Sequence, residues 1–355
     1  MKVATILGAR PQLIKASVVS AEMARRGVDE AIIHTGQHFD DNMSSVFLSE
    51  MGVPEPVVNL GIGGGSHGQN TGRMLEQLEA ELVRLKPDWV VVYGDTDSTL
   101  AGALAAAKLH IPIAHIEAGL RSFNRGMPEE INRVVTDHVA TALFTPTDTA
   151  IECLRSEGLH GDRVVKSGDV MFDVAIQYGR VSDEQSTIVE KLDLEGVNFI
   201  LATIHRAENT DDPQRLKAIF GGFGELQRCI VLPLHPRTKS RITTSSITLP
   251  PNLRIIDPVG YLDMLALEKN AQLIVTDSGG VQKEAFFHGV PCVTLRDETE
   301  WVELVDMGWN RLASPTSADA VVEAIRQTDS GNRKDGQPYG TGNASQIIVD
   351  SLLHW

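Results

Sequence analysis

The sequence predicts an α/β protein of two doubly wound domains facing a central cleft, 1–170 and 171–355. Three observations predict it. Short apolar runs alternate with longer helical patterns along the whole chain, as parallel sheets require. A polar, charged stretch from Ile176 to Asn198 divides those runs into two series with the same element order, which puts the boundary near Asp169 to Gly196. At 355 residues the chain also exceeds the usual size of one hydrophobic core.

The first series of strand candidates is KVATIL, EAIIHT, DWVVVYG, IPIAHIE and ALFTPT; the second is NFILATIH, CIVLPLHP, LRIID, AQLIVTD and VPCVTL. In Rossmann-like sheets of this kind ligands sit beyond the carboxyl ends of the strands, where loops lead into helices. Composition narrows the ligand. A formal charge of -15 argues against broad capture of nucleic acid, so an anionic small molecule would need local cations. The three cysteines form no C-x-x-C pair, which suggests neither a disulfide framework nor a zinc site. The apolar run in MKVATILGARPQ is too short for a signal-peptide core or a membrane span, and a cytoplasmic protein is expected.

The strand-end loops carry the residues suited to chemistry. GARPQLIK places Gly8 in a tight turn, Arg10 at the strand's carboxyl end, Pro11 at the first helical position and Lys15 one turn on, an arrangement that suits an anion. The G-x-G-x-x-G pattern of a nicotinamide dinucleotide site is absent there. NLGIGGGSHGQNTGRML lacks G-K-[ST] and reads as a flexible connection. YGDTDSTLAGALAAAK ends a strand with Asp95 and offers Asp97 as a cap. HIEAGLRS places His115 and Glu117 two apart, where strand alternation would give them one environment, followed by Arg121. GMPEEINRVVTDHV puts Pro128 in a first helical turn with Glu129 and Glu130 at its positive end, then Arg133 and Asp137. Either glutamate alone is what any helix start carries. Asp95, Glu117 and Glu129, one from each of three successive strand-end loops, point to a shared acid–base site.

The second series supplies the complement. ATIHRAEN places His205, Arg206 and Glu208 after a strand, and LPLHPRTK places His235 and Arg237 after the next. IVTDSGGVQKEA starts a helix at Ser278, Gly279 and Gly280, whose backbone N–H groups and dipole suit a diphosphate, with Glu284 placed to take ribose hydroxyls.

Taken together, GARPQLIK, TGQH, YGDTDSTLAGALAA, HIEAGLRS, PEEINR, TIHRAEN, LHP and DSGGVQKEA resemble the non-hydrolysing UDP-N-acetylglucosamine 2-epimerase family, in order over nearly the whole chain. The resemblance implies a glycosyltransferase-B-like pair of domains, a homodimer, and an isomerase that uses no nicotinamide, metal or other cofactor. GARPQ, GGSHGQ, TGRML and the compact RSFNRGMPEEINR resemble the branch that inverts carbon 2 of UDP-2,3-diacetamido-2,3-dideoxyglucuronate for surface-polysaccharide (O-antigen) synthesis, with UDP-N-acetylglucosamine as the alternative substrate. It further implies Asp95, Glu117, Glu129 and His205 as catalytic, and Arg10, Lys15, Arg121, Arg133, Arg206, His235, Ser278, Gly279, Gly280 and Glu284 as substrate-binding. Residues matching an activating second UDP-sugar site are Gln37, His38 and Arg73, and Arg121 or Arg125 is expected to meet the acidic sugar's C6 carboxylate. A glycosyltransferase of the same fold, a hydrolysing epimerase and a non-catalytic UDP-sugar sensor are the competing readings.

Overall fold

A computed structural model of the chain describes residues 1–37, 51–245, 247–329 and 332–355. Two compact units are present, Met1–Val174 with Gln337–Trp355, and Ala175–Gly336. The first holds a seven-stranded parallel sheet of β1 (Lys2–Leu7), β2 (Asp29–His34), β3 (Val58–Asn59), β4 (Trp89–Tyr93), β5 (Ile113–Ile116), β6 (Ala142–Thr145) and β7 (Val164–Lys166), ordered β3-β2-β1-β4-β5-β6-β7. The order reverses between β1 and β4, so the loops leaving those two strands diverge and open a crevice at their carboxyl ends.

The second unit repeats the plan with six parallel strands, β8 (Phe199–Thr203), β9 (Cys229–Pro233), β10 (Leu253–Ile256), β11 (Leu273–Thr276), β12 (Cys292–Thr294) and β13 (Asn310–Leu312), ordered β10-β9-β8-β11-β12-β13. Its switch point lies between β8 and β11. Both faces of this sheet are covered, which is why its strands read as unbroken apolar runs. Ile200 and Ala202 of β8 enter one core with Phe220, Phe223 and Ile325, while Phe199 and Leu201 enter the opposite core with Leu267 and Ala285.

The ten predicted runs all form strands. The short strands β3, β7 and β13 are not among them, because two or three residues carry too little alternation to stand out. The polar stretch after Ile176 contains the greater part of the helix Val170–Gln185 and the short helix Ile188–Lys191. The second domain expected from the sequence runs to 355, whereas Gln337–Trp355 packs with the first unit. Asp173 holds the start of the last helix, Ala344–His354, by accepting from Ala344 N at 3.0 Å, Ser345 N at 2.8 Å and Ser345 Oγ at 2.7 Å. Trp355 then meets Trp89 edge to face at 5.7 Å, and Arg26 pairs with Asp350. Among the described residues no helix is long and apolar enough to cross a membrane.

Candidate active site

At the end of β1 the chain turns through Gly8 and Ala9 into the helix Arg10–Arg25. Gly8 is required by crowding: a Cβ there would lie 2.0 Å from Thr35 Oγ1 and 2.1 Å from Ser98 Oγ. Buried Gln12 fixes the turn, accepting from Gly8 N at 2.9 Å and Ala9 N at 3.0 Å while donating to Tyr93 O at the end of β4 at 2.9 Å. The turn that carries Arg10 is thereby tied to the strand that delivers Asp95. Arg10 opens the helix, half-buried.

Lys15, one turn on, forms an ion pair with Glu117, and both side chains are largely buried, at 12% and 7% exposure. Gly94 makes room for that pair, since a Cβ on its left-handed backbone (φ 62°) would stand 3.2 Å from Glu117 Oε2. Glu117 is itself left-handed, with φ 70°. That turn ends β5 at Ile116, so the alternation expected to put His115 and Glu117 in one environment does not reach Glu117. His115 is buried instead, bonding Asp137 Oδ1 through Nδ1 at 2.6 Å and Gly94 O through Nε2 at 2.7 Å.

Asp95 accepts from Arg133 Nη2 at 2.5 Å and Nε at 3.1 Å, and its side chain is 31% exposed. Asp97 does not cap: Thr96 is the N-cap of the helix Asp97–Lys108, and Asp97 is buried between His67 (2.9 Å) and Asn132 (3.2 Å). The helix Pro128–Val139 starts as expected, with Pro128 in its first turn and two acidic residues behind it. Those two divide their labour. Glu130 is buried and accepts from Ser122 N at 2.9 Å, Phe123 N at 3.0 Å and Arg133 Nη1 at 2.9 Å. Glu129 is half-buried, and its carboxylate has no partner among the described residues.

Arg121 is placed differently from the substrate-binding role given to it. Its guanidinium is 1% exposed and fully committed, donating to Asp137 Oδ2 at 2.7 Å, to Leu120 O at 2.7 Å and as a fork to Glu157 at 2.7 and 2.8 Å. Burial opposes its charge, but Glu157 and Asp137 outweigh burial and raise its pKa. For Asp137 burial pushes upward, and His115 with Arg121 holds the carboxyl below its ordinary value. An arginine so enclosed serves the scaffold, whereas Arg125 stands in the exposed part of the same loop.

Gln37 accepts from Ser98 N at 3.1 Å and Ser98 Oγ at 2.6 Å, and Arg73 is exposed on the helix His67–Leu85; His38 lies outside the described residues.

In the second unit Asp277, fully buried at the end of β11, latches the loop after β8. It accepts from His205 N and Arg206 N, each at 3.0 Å, and from Asn209 Nδ2 at 3.1 Å. His205 Nδ1 lies 3.5 Å from the same carboxylate, and its ring stands 5.7 Å from that of His235. His235 Nδ1 accepts from Arg237 N at 3.2 Å and caps the helix Pro236–Thr244, and Arg206 lies 3.7 Å from Glu208. Ser278 caps the helix Gly279–Phe287. Space beside Gly279 is open within 4 Å, and a Cβ at Gly280 would meet nothing nearer than 3.9 Å, so no side chain crowds this helix start. Glu284 is buried at 6% exposure and accepts from Tyr261 Oη at 2.9 Å. The position expected from its place in the helix is a held carboxylate, not a solvated one.

Behind Glu284 lies Glu268, fully buried, whose pKa burial and the charge of Glu284 push well above its ordinary value. His288, 3.8 Å from Glu268 and 7% exposed, has its pKa lowered to about 4 by burial and then by Lys269. A histidine with a depressed folded pKa takes its proton first in the unfolded chain, so stability should fall as pH drops from the unfolded value of 6.5 toward about 4. We expect this group to contribute a loss of about 3 kcal/mol across that window, at about 1.4 kcal/mol per pH unit. Urea unfolding of His288→Gln beside the parent should show a shallower acid slope; parallel slopes would refute the assignment.

Two parallel, doubly wound sheets, with carboxylates and cations at strand ends in one and a glycine-led helix start in the other, define an α/β enzyme of the glycosyltransferase-B-like class. A lipopolysaccharide outer core galactosyltransferase shares that fold, with TM-score 0.56 and 12% identity over 100% of this chain and 99% of that one. The sequence model of the family described as UDP-N-acetylglucosamine 2-epimerase matches residues 21–353. A UDP-2,3-diacetamido-2,3-dideoxy-D-glucuronate 2-epimerase from Pseudomonas aeruginosa is 53% identical, covering 99% of each chain. A UDP-N-acetylglucosamine 2-epimerase from Methanocaldococcus jannaschii is 43% identical over 100% of this chain and 99% of that protein. A crystal structure of the Methanocaldococcus jannaschii enzyme in complex with UDP-GlcNAc and UDP matches with TM-score 0.92 and 43% identity over 100% of both chains. The chain belongs to the UDP-N-acetylglucosamine 2-epimerase family and is an isomerase.

Several residues act by holding others. Gln12, Glu130, His115 and Asp277 each fix a loop that carries a candidate. Gln12, which the sequence analysis does not single out, is signalled only as a polar side chain between Pro11 and Leu13 in the first turn, whereas Asp277 is legible in its position at the end of the run AQLIVTD.

Proposed function

We propose that the chain inverts carbon 2 of UDP-2,3-diacetamido-2,3-dideoxy-D-glucuronate to give the manno isomer, for surface-polysaccharide synthesis. The observation that supports the reading is the position of Asp95 after β4, Glu117 after β5 and Glu129 at the helix start beyond, the first two paired with cations. Likeness to the Pseudomonas aeruginosa relative over the full length supports the acidic diacetamido sugar.

The C2 hydrogen has no adjacent carbonyl, so it becomes removable only as the diphosphate departs. The C1–O bond breaks with its electron pair going to the diphosphate oxygen. A carboxylate takes the C2 proton, and the C–H pair forms the C1–C2 double bond of a 2-acetamidoglycal. A proton then reaches C2 from the opposite face, and the diphosphate oxygen returns to C1. Two faces need acid–base groups on both, which is why a set of carboxylates is used. Lys15 and Arg133 orient Glu117 and Asp95. Arg10, His205, Arg206, His235 and the first turn of Gly279–Phe287 meet the diphosphate, where negative charge accumulates. Glu284, steadied by Tyr261, takes the ribose hydroxyls. Arg125 pairs with the C6 carboxylate, which would be costly to desolvate alone. Gln37, His38 and Arg73 form an activating UDP-sugar site, and the chain works as a cytoplasmic homodimer, a compartment that suits three cysteines held as thiols.

Incubation with each UDP-sugar in deuterated water, followed by NMR at C2, tests the reading. Product carrying deuterium at C2, formed faster from the diacetamidoglucuronate than from UDP-N-acetylglucosamine, is the expected result. Faster turnover of the neutral sugar would restore the alternative substrate, and transfer to an acceptor would instead make the protein a glycosyltransferase.

A further inference from the structure

Of the described non-glycine residues of the first unit with a left-handed backbone, Lys86, His110, Glu117 and Phe123, only Phe123 is apolar. Its backbone is left-handed, with φ 60°, a conformation that bulky side chains adopt rarely and at a cost. Yet the residue is 73% exposed, so burial of the ring does not offset that cost. What holds the backbone there lies elsewhere in the loop. Glu130 accepts from Ser122 N, Ser122 Oγ and Phe123 N at 2.9, 3.1 and 3.0 Å. Gly126 N donates to Asn124 Oδ1 and Met127 N to Asn124 O, both at 3.0 Å, which closes the loop behind. The same Glu130 carboxylate binds Arg133, and Arg133 binds Asp95. Phe123 is therefore linked to a candidate acid–base group through only two side chains, and the loop's hydrogen bonds display its ring without using it.

Strain maintained by surrounding bonds at such a place points to function. A macromolecular partner would call for a contiguous apolar patch, and the neighbours Asn124 and Arg125 are polar and exposed. A single ring suits a small group with a flat face and a methyl. An acetamido substituent has both, and a 2,3-diacetamido sugar carries two side by side where the monoacetamido sugar has a hydroxyl at C3. We propose that Phe123 is a specificity-determining residue whose ring packs on the acetamido substituents of the sugar, favouring the 2,3-diacetamido substrate. The inference rests on the epimerase reading above.

Phe123→Gly and Phe123→Tyr separate the ring from the loop. Glycine suits a left-handed backbone, so Phe123→Gly should unfold at the same temperature or higher. Its kcat/KM for UDP-2,3-diacetamido-2,3-dideoxyglucuronate should nonetheless fall on the order of 10-fold, mainly through KM, with a smaller loss for UDP-N-acetylglucosamine. Phe123→Tyr, which keeps the ring, should lose less than Phe123→Gly on the diacetamido sugar, and an equal loss would overturn the inference. If the parent turns over the diacetamido sugar and Phe123→Gly matches its KM, the inference fails while the epimerase reading stands. Equal losses for both sugars would also overturn it, because they would mean the ring acts on the loop. A parent that epimerises neither sugar sinks the reading and the inference together.

Discussion

Glu117→Gln, Asp95→Asn and Glu129→Gln are each expected to lower turnover by about 10²-fold or more, the scale of a lost acid–base group, while UDP still binds. The reason differs by site. Glu117→Gln removes the partner of Lys15 as well as a proton acceptor, and Asp95→Asn leaves Arg133 held by Glu130 with one carboxylate fewer. Glu129 has no such partner among the described residues, so Glu129→Gln should fold with the parent's stability and show the loss in kcat alone. UDP affinity by calorimetry, melting temperature and turnover together separate chemistry from folding. Full activity in all three variants would remove the carboxylates from the mechanism.

The largest stability effect is expected at Arg121. Arg121→Met would leave Asp137 buried with only His115 and Gly119 N beside it, and Glu157 without its fork. Removing one partner of a buried, hydrogen-bonded ion pair costs about 3–5 kcal/mol, mostly because the remaining charge stays desolvated. Chemical denaturation should show that loss, and the same change at exposed Arg125 should cost about 0.5 kcal/mol or less. Comparable stabilities would mean that Arg121 is not the scaffold residue its contacts describe.

Much of the fold is legible in the sequence. The apolar runs report directly on strands buried on both faces, and the loops after them had to carry the chemistry, because parallel sheets expose strand ends there. Pro128 with Glu129 and Glu130, and Ser278 with two glycines, announce helix starts through local rules of backbone and dipole. These are properties of neighbouring residues, and sequence alone determines them.

Partner choice among charged groups was decided only by the tertiary structure. Lys15 and Glu117 are 102 residues apart, Arg133 and Asp95 38 apart, and Arg121 and Glu157 36 apart. Local helix rules do not separate Glu129 from Glu130. The turn of the helix sends one carboxylate into the bonds of the Ser122–Phe123 loop and leaves the other half-exposed. The positive φ at Glu117 likewise breaks the two-residue alternation and separates it from His115. Periodicity describes the faces of one element. Which buried charge answers which, and which candidate is left for substrate, depends on packing between elements, because an ionic group inside a protein is settled by whatever partner the fold brings within bonding distance.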